Sequence, residues 1–154
     1  MISISVRKPY LKQVNKRQLL TTAELTLNYL QPGKTVDLAI LICSNEEISK
    51  INLSYRNIDQ ATDVLSFESF EFNPDSGSYH LGDIVISFDF AHEHSLRFSH
   101  DVSLELLVLL IHGILHLCGF DHSEEDEKQE MWMKQNEIHR LLNISIDQLP
   151  GEHE

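Results

Sequence analysis

Cysteine is scarce in this chain of 154 residues, which contains only Cys43 and Cys118. Two cysteines do not provide the disulfide framework that holds small secreted domains together. Residues 1–7 also lack the charged-then-apolar layout of a signal peptide. We therefore predict a protein of a reducing compartment, with a cytoplasmic location.

Long apolar runs are absent as well. The most apolar stretch, residues 104–118, is too short to span a bilayer and is interrupted by Glu105, His112 and His116. The chain has 42% hydrophobic and 23% charged residues, with 6 Gly and 4 Pro, which is ordinary for a globular protein. We predict a soluble single domain over residues 1–154 with no membrane partner, in which residues 144–154 form a frayed tail.

The chain has few positive charges: 12 Lys and Arg residues stand against 24 Asp and Glu residues, so the net charge is −12. The distribution is uneven: residues 1–60 carry 8 Lys/Arg and 5 Asp/Glu, whereas residues 61–154 carry 4 Lys/Arg and 19 Asp/Glu. The basic cluster consists of Arg7, Lys8, Lys12, Lys16 and Arg17. A local cluster of this kind can contact a polyanion. It can equally be a solvated helix surface, and charge alone does not choose between the two.

Hydrophobic periodicity predicts a mixture of strands and helices. The predicted strands cover residues 2–6, 35–43, 63–67 and 81–87, with residues 71–80 as a turn or loop that makes a hairpin of the last two. The predicted helices cover residues 16–30, 45–56, 88–98 and 102–118, followed by a helix that Ser123 caps and that ends near Leu142. Thr21 or Thr22 offers a later start for the first helix, and Ser44 or Asn45 caps the second.

These elements indicate an α+β domain: a small mixed β-sheet packed against a buried central helix, with further surrounding helices. The helix over residues 102–118 is apolar nearly all round, which is typical of a buried helix. In the final helix, the apolar residues Met131, Trp132, Ile138, Leu141 and Leu142 are expected to face inward.

A histidine constellation lies at the end of the central helix. His112 and His116 are four residues apart, so their side chains share one helix face and can reach one ion. Gly119 permits the positive φ that ends a helix, which lets His122 return as a third ligand. Three protein ligands leave a position open for water, as in catalytic zinc sites, and such a water becomes a nucleophile near neutral pH. A single histidine in an apolar helix is more often a satisfied core residue, but three in this pattern predict one zinc-like ion per chain.

The spacing of these histidines is shared with metzincin proteases, which carry a glutamate base directly after the first histidine. Here that position is Gly113. A peptidase would therefore lack its general base.

The segment His112-Gly-Ile-Leu-His-Leu-Cys-Gly-Phe-Asp-His122 closely resembles the signature H-G-x-L-H-L-x-G-Y-D-H of the YbeY family of metal-dependent endoribonucleases. Two further blocks also match, one over residues 52–56 and 62–67 and another over residues 81–84. The resemblance spans about residues 45–125. Phe120 replaces a common tyrosine, and Glu68 stands where the family often has proline.

The resemblance implies a zinc-dependent endoribonuclease that cuts single-stranded RNA. It implies rRNA precursors as substrate, with roles in maturation of the 16S 3′ end and in ribosome quality control, and ribosomal subunits or proteins as partners. It also implies that His112, His116 and His122 bind Zn²⁺ and that Arg56 is functional. Guanidinium donors fit phosphate oxygens, although a helix-end arginine can also simply cap carbonyls.

Asp121 has three alternatives: an acceptor that orients a metal-binding imidazole, a general base, or a residue that only forms the turn. The remaining candidates are expected to be structural. Asp63, Ser66 and Asp83 are predicted to lie near the cleft, Cys118 in the core, and His92, His94 and His100 on the surface, because positions i and i+2 of a helix do not converge.

Two other functions stay open from the sequence. One is a metallohydrolase of another substrate class, such as a peptidase or a small-molecule hydrolase. The other is a non-catalytic ribosome-assembly factor in which the metal stabilises the fold, and whose acidic C-terminal half contacts basic ribosomal proteins.

Overall fold

A four-stranded mixed sheet organises the chain, whose computed structural model describes residues 1–146. Its strands are β1 (Ile2–Val6), β2 (Val36–Cys43), β3 (Val64–Asn73) and β4 (Ser78–Ser87). Their order in the sheet is β1-β2-β4-β3. Strands β1, β2 and β4 run parallel to one another, and β3 pairs antiparallel with β4 as a hairpin.

In the described part of the chain, five α-helices and one short 3-10 helix, Lys8–Tyr10, surround the sheet. The α-helices are α1 (Lys16–Leu30), α2 (Asn45–Arg56), α3 (Phe88–Arg97), α4 (Val102–Leu117) and α5 (Glu125–Leu141). Helix α1 connects the parallel strands β1 and β2, as a crossover between parallel strands requires.

Alternation along β4 builds two apolar layers. Ile84 and Ile86 face the main core, to which α1 and α4 contribute, whereas Val85 faces a smaller cluster with Ile48 of α2. Helix α4 is the centre of the fold, because it packs against α1, α3, α5, β3 and β4 and twelve of its sixteen residues are buried. The predicted α+β architecture with a buried central helix is confirmed.

The hairpin is longer than the sequence predicts. Strand β3 continues to Asn73 and β4 begins at Ser78, so most of the predicted loop over residues 71–80 is strand. Phe72 and Tyr79 are paired across the two strands with ring centroids 4.8 Å apart. This cross-strand aromatic contact stabilises the extension, which a pattern read along one strand does not reveal.

Several helix ends differ from the predicted ones. Helix α1 begins at Lys16 because the side chain of Asn15 caps it, so neither threonine starts the helix. Ser44 is the cap of α2. The predicted cap Ser123 is wrong: α5 begins one residue later, after Glu124. The single proton of the Ser123 hydroxyl is shared between the carboxylates of Asp121 at 3.4 Å and Glu127 at 3.3 Å.

The inward face of α5 is confirmed in part. Met131 and Ile138 are buried, whereas Leu141 is 60% exposed, so its predicted inward position is wrong. Beyond the helix, the backbone N–H of Ile144 donates to the carbonyl oxygen of His139, and Ile144 packs against the core. The predicted tail thus starts with a packed residue, and its residues 147–154 lie outside the described part of the chain.

Within residues 1–146, none of the helices is by itself long and apolar enough to cross a membrane. Helices α3 and α4 reach the necessary length and composition only as a pair, and they meet at an angle of 119°.

Candidate metal centre and active site

Three histidines converge where α4 ends. His112 and His116 lie on one face of the helix, with their Nε2 atoms 3.2 Å apart. The ring centroid of His122 lies 5.5 Å from that of His112 and 5.0 Å from that of His116. One ligand nitrogen from each residue lies within 4.8 Å of the other two, so the group can hold a metal ion.

His122 reaches the group through a specific helix ending. Gly119 has φ 98°, and its N–H donates to the carbonyl oxygen of His116 while the N–H of Phe120 donates to that of Leu115. This pair of bonds is a Schellman motif, in which a residue of positive φ reverses the chain after the last turn. Phe120 also packs with Leu115 in the same apolar cluster. The turn that the sequence predicts at Gly119 is confirmed.

The environment favours the neutral form of the two imidazoles on α4. Burial, followed by the nearby His116 and His122, lowers the pKa of His112 from 6.5 to about 3. Burial also lowers the pKa of His116, with a further contribution from His122, and Asp121 opposes this shift. A neutral imidazole is the form that binds a metal ion, so the donor set fits zinc and similar ions.

Gln135 of α5 completes the surroundings of His112. Its Nε2 donates to the carbonyl oxygen of Val108 at 3.1 Å and lies 3.0 Å from Nε2 of His139, so both amide protons have acceptors. Its Oε1 is buried without a hydrogen bond of good geometry, yet the side chain is close enough to raise the pKa of His112. The amide oxygen is thus the group that can accept the second ring N–H of His112. Sequence reasoning missed Gln135, although a polar residue between Met131 and Ile138 on an apolar helix face was a usable signal.

The three histidines line an open cavity of about 600 Å³ with the end of α2 and the start of β3. Arg56 lines the same cavity, and its Nη2 donates to the carbonyl oxygen of Ser66 at 2.8 Å. The guanidinium carbon lies 5.3 Å from the ring centroid of Phe67. The charge of Arg56 contributes to lowering the pKa of His116. The structure therefore brings the predicted arginine to the histidine group.

Asp121 also lines the cavity and is exposed. Its Oδ1 accepts a hydrogen bond of 2.7 Å from the backbone N–H of His122. Its Oδ2 lies 3.4 Å from the Ser123 hydroxyl that donates to it. Asp121 thus makes the contacts of a turn-forming residue, its charge raises the pKa of His116, and the other two alternatives for it stay predictions.

Gly113 faces the sheet rather than the cavity. A Cβ atom added to it would lie 3.0 Å from Cγ2 of Ile84 and 3.2 Å from Oγ of Ser66. The Ser66 hydroxyl donates to the carbonyl oxygen of Gly113 at 3.3 Å. The position that carries the base in metzincins is therefore filled by packing between α4 and the sheet.

The other predicted residues are placed as follows. Asp63 and Ser66 line the cavity. Asp83 does not, because it is exposed and pairs with Nε2 of His80, so its predicted place near the cleft is wrong. All five residues of the basic cluster are exposed and none lines the cavity.

Of the histidines predicted to lie on the surface, two are partly buried. His92 is exposed, as predicted, but His94 and His100 are partly buried against Glu105. The prediction of surface positions is wrong for these two because α3 and α4 fold against each other. Cys43 is buried, Cys118 is partly buried at the edge of the main core, and both are free.

These features define an α+β domain with a three-histidine group able to hold a metal ion, beside an arginine, in one open cavity. A family model described as "Endoribonuclease YbeY" matches residues 3–143. The chain belongs to this family.

Individual relatives agree with the family match. The chain is 37% identical over 139 residues to an endoribonuclease YbeY of Lachnoclostridium phytofermentans, covering 79% of this chain and 84% of the relative. It is 39% identical over 126 residues to that of Clostridium botulinum, covering 70% and 76% of the two chains. The solution structure of TM1509 from Thermotoga maritima superposes with a TM-score of 0.59 at 28% identity, covering 99% of both chains.

Proposed function

We propose that this protein is a zinc-dependent endoribonuclease that cleaves single-stranded RNA in the cytoplasm, with rRNA precursors, including the 3′ end of 16S rRNA, as substrate. The observation that carries the proposal is the shared cavity: three imidazoles and one guanidinium line the same open space of about 600 Å³. Relatives at 37–39% identity are named endoribonucleases, which supports RNA as the substrate.

His112, His116 and His122 are the residues that would hold the ion, and zinc is one of the metals that this donor set suits. The ion would polarise a phosphoryl oxygen and acidify water near neutral pH. Gln135 orients His112 through its amide oxygen. The two histidines of α4 are fixed by a buried helix, whereas His122 is fixed by the Schellman turn.

Arg56 binds and orients the phosphate in this proposal. A guanidinium has five N–H donors, and the bond to Ser66 uses one of them. That bond, together with the face of Phe67, fixes the plane of the guanidinium group. The remaining donors can contact two phosphate oxygens and stabilise the negative charge that develops during cleavage. Among the cavity-lining residues of the described chain, Arg56 is the only Lys or Arg.

Asp121 is the candidate proton acceptor. Its carboxylate is exposed at the cavity, on the turn that carries His122. One oxygen is engaged by the backbone N–H of His122 at 2.7 Å, while the other has only a long contact of 3.4 Å to Ser123. The second oxygen can therefore accept a proton from an attacking hydroxyl group.

Tyr55 supports a preference for single strands. It precedes Arg56 on α2, its side chain is 74% exposed, and its ring centroid lies 5.4 Å from that of Phe67. Exposed aromatic rings beside a phosphate-binding arginine can stack on unpaired bases, which a duplex does not offer.

The charge distribution supports a ribosomal setting. The net charge of −12 opposes binding of naked RNA over a large surface, whereas an acidic half can contact basic ribosomal proteins. We propose that ribosomal subunits or their proteins bring the RNA to the cavity, and that the enzyme acts in rRNA maturation and ribosome quality control.

The decisive experiment measures zinc content and RNA cleavage in the same samples of wild-type protein, His116→Ala and the control His92→Ala, whose histidine is exposed and distant in sequence from the site. We expect cleavage of single-stranded but not double-stranded RNA by the wild type and the control. The His116→Ala protein should lose cleavage and the zinc bound at this site. Intact RNA with metal-loaded wild type would overturn the nuclease proposal.

A second candidate function is a non-catalytic ribosome-assembly factor, which the acidic cavity residues Asp63, Glu68 and Asp121 favour. The Arg56→Ala variant separates the two candidates. If it folds, keeps its metal and fully restores growth to cells that lack the protein, cleavage is not the essential activity.

A further inference from the structure

A second group of metal-binding side chains lies at the corner between α3 and α4. His94 Nδ1 is 3.1 Å from Oε1 of Glu105, and His100 Nε2 is 2.5 Å from Oε2 of the same carboxylate. One ligand atom of each residue lies within 4.8 Å of the other two. Glu105 is only 4% exposed, so its carboxylate is removed from water.

The fold of the corner explains why residues on two different helices and their connection meet. Ser99 has φ 55°, and the N–H of His100 donates to the carbonyl oxygen of Ser95 at 3.1 Å, which closes the end of α3. Asp101 then caps α4 through the N–H of Ser103. Because the two helices meet at 119°, Glu105 in the first turn of α4 faces back toward His94.

A carboxylate that accepts two imidazole N–H groups is the simplest description of the group, but it accounts for only one of the two contacts. His100 Nε2 forms a hydrogen bond with Glu105. His94 Nδ1 is buried and has no hydrogen bond of good geometry, although it lies 3.1 Å from the carboxylate. A buried ring nitrogen near a carboxylate but poorly aimed for a hydrogen bond has a lone pair that an ion between the groups would use.

One of the two separations already suits an ion, whereas the 2.5 Å between His100 Nε2 and Glu105 Oε2 is that of a short hydrogen bond and has to lengthen by about 0.8 Å for both atoms to bind one ion. Ligand atoms around a tetrahedral zinc ion with bonds of about 2.0–2.1 Å lie about 3.3 Å apart, which is close to the 3.1 Å between His94 and Glu105. Two imidazoles and one carboxylate are a donor set that zinc and other divalent transition metals accept.

We propose that His94, His100 and Glu105 form a second, structural site for a divalent transition-metal ion of the zinc type, which joins α3 to α4. Three protein ligands leave its fourth position to water, and its role is structural because its ligands join two helices and none of them lines the cavity of the first site. The two sites are separate: Glu105 and His112 are seven residues apart on α4, a rise of about 10 Å. The proposal does not depend on the nuclease activity.

The test counts bound metal in the full chain by equilibrium dialysis against Zn²⁺ and, separately, against Co²⁺, whose visible absorption reports each coordination environment. Four proteins are compared: wild type, His94→Gln/His100→Gln, His116→Gln/His122→Gln, and the control His92→Gln on the exposed side of α3. We expect two ions per chain in wild type and control, and one in each double variant, with different cobalt spectra.

Thermal unfolding provides an independent readout. In the His116→Gln/His122→Gln protein, Zn²⁺ should raise the melting temperature, and adding His94→Gln should remove that rise. His94 is the most exposed of the three residues, so the single substitution preserves the fold if the double one does not. One ion in wild type that His94→Gln/His100→Gln leaves unchanged would overturn the second site. If only the His116→Gln/His122→Gln protein loses a bound ion, the second site is overturned and the first site stands.

Discussion

Gln135 of α5 donates from Nε2 to the backbone carbonyl oxygen of Val108 on α4, across 3.1 Å. This bond ties the last helix to the central one at a position one turn before His112. Since the other amide proton has Nε2 of His139 as its acceptor, the buried amide oxygen is left without a partner of its own, and Gln135 raises the pKa of His112. The last two helices therefore cooperate in orienting a single imidazole.

Replacing Gln135 with leucine should weaken zinc binding. The substitution keeps an apolar volume between α4 and α5 but removes the acceptor for His112. Loss of a group that orients a metal-binding histidine reduces affinity by about 10-fold to 100-fold. Competition with a chromogenic chelator measures the change, and Gln129→Leu on the exposed side of α5 is the control. Equal affinity in the two variants would show that Gln135 only fills space.

Arg56→Lys should reduce cleavage despite keeping the charge. Lysine cannot reproduce the planar fork that donates both to Ser66 and to two phosphate oxygens. We expect kcat to fall by about 100-fold or more, as when a donor to a developing anion is removed. Zinc content should not change, because Arg56 is not among the proposed ligands. Single-turnover cleavage of a single-stranded RNA measures the effect, and a rate within about twofold of wild type would contradict a phosphate-positioning role.

Gly119→Ala tests the turn that brings His122 to the site. An alanine at φ 98° is strained, which costs about 1 kcal/mol of stability. Gly33→Ala is a matched control, since Gly33 has φ 76° and, like Gly119, has open space where the methyl group would lie. Both variants should lose similar stability in urea unfolding. Only Gly119→Ala should also bind zinc more weakly, because only that strain moves a ligand.

His139 should make the metal-free protein less stable in acid. Burial lowers its pKa from 6.5 to about 4. Between pH 6.5 and pH 4 the unfolded chain therefore binds a proton at His139 that the folded chain does not bind. The contribution of His139 to the free energy of unfolding is fully present above pH 6.5 and is lost as the pH falls toward 4. The full effect is about 3 kcal/mol, from about 1.4 kcal/mol for each unit of pKa difference.

Urea unfolding between pH 7 and pH 4 measures this loss. His139→Leu should reduce the slope of unfolding free energy against pH by up to one proton, and His92→Gln, at an exposed position of α3, is the control. An unchanged slope in His139→Leu would assign the acid sensitivity to other groups.

The central site could be predicted because its determinants are local. The spacing of His112 and His116 follows from the helix repeat, and Gly119 predicts the turn to His122. The contacts of His94 and Glu105 could not be predicted, since they depend on how α4 packs against α3, whereas Gln135 offered a signal as a polar residue on an apolar helix face but its contact with α4 depends on packing as well. The extended hairpin was missed for the same reason: the contact between Phe72 and Tyr79 exists only once the strands are paired. The metal-binding and catalytic roles of the site residues stay predictions.

The packing of Gly113 also bears on how this family can diverge. One nucleotide change can convert a glycine codon to a glutamate codon, and that glutamate would complete the protease pattern of the neighbouring histidines. In this fold the new side chain would meet Ile84 and Ser66 before it met any substrate. A glutamate at this position therefore requires Ile84 and Ser66 to move as well, a second change in the packing between helix and sheet that the similarity of the histidine spacing does not reveal.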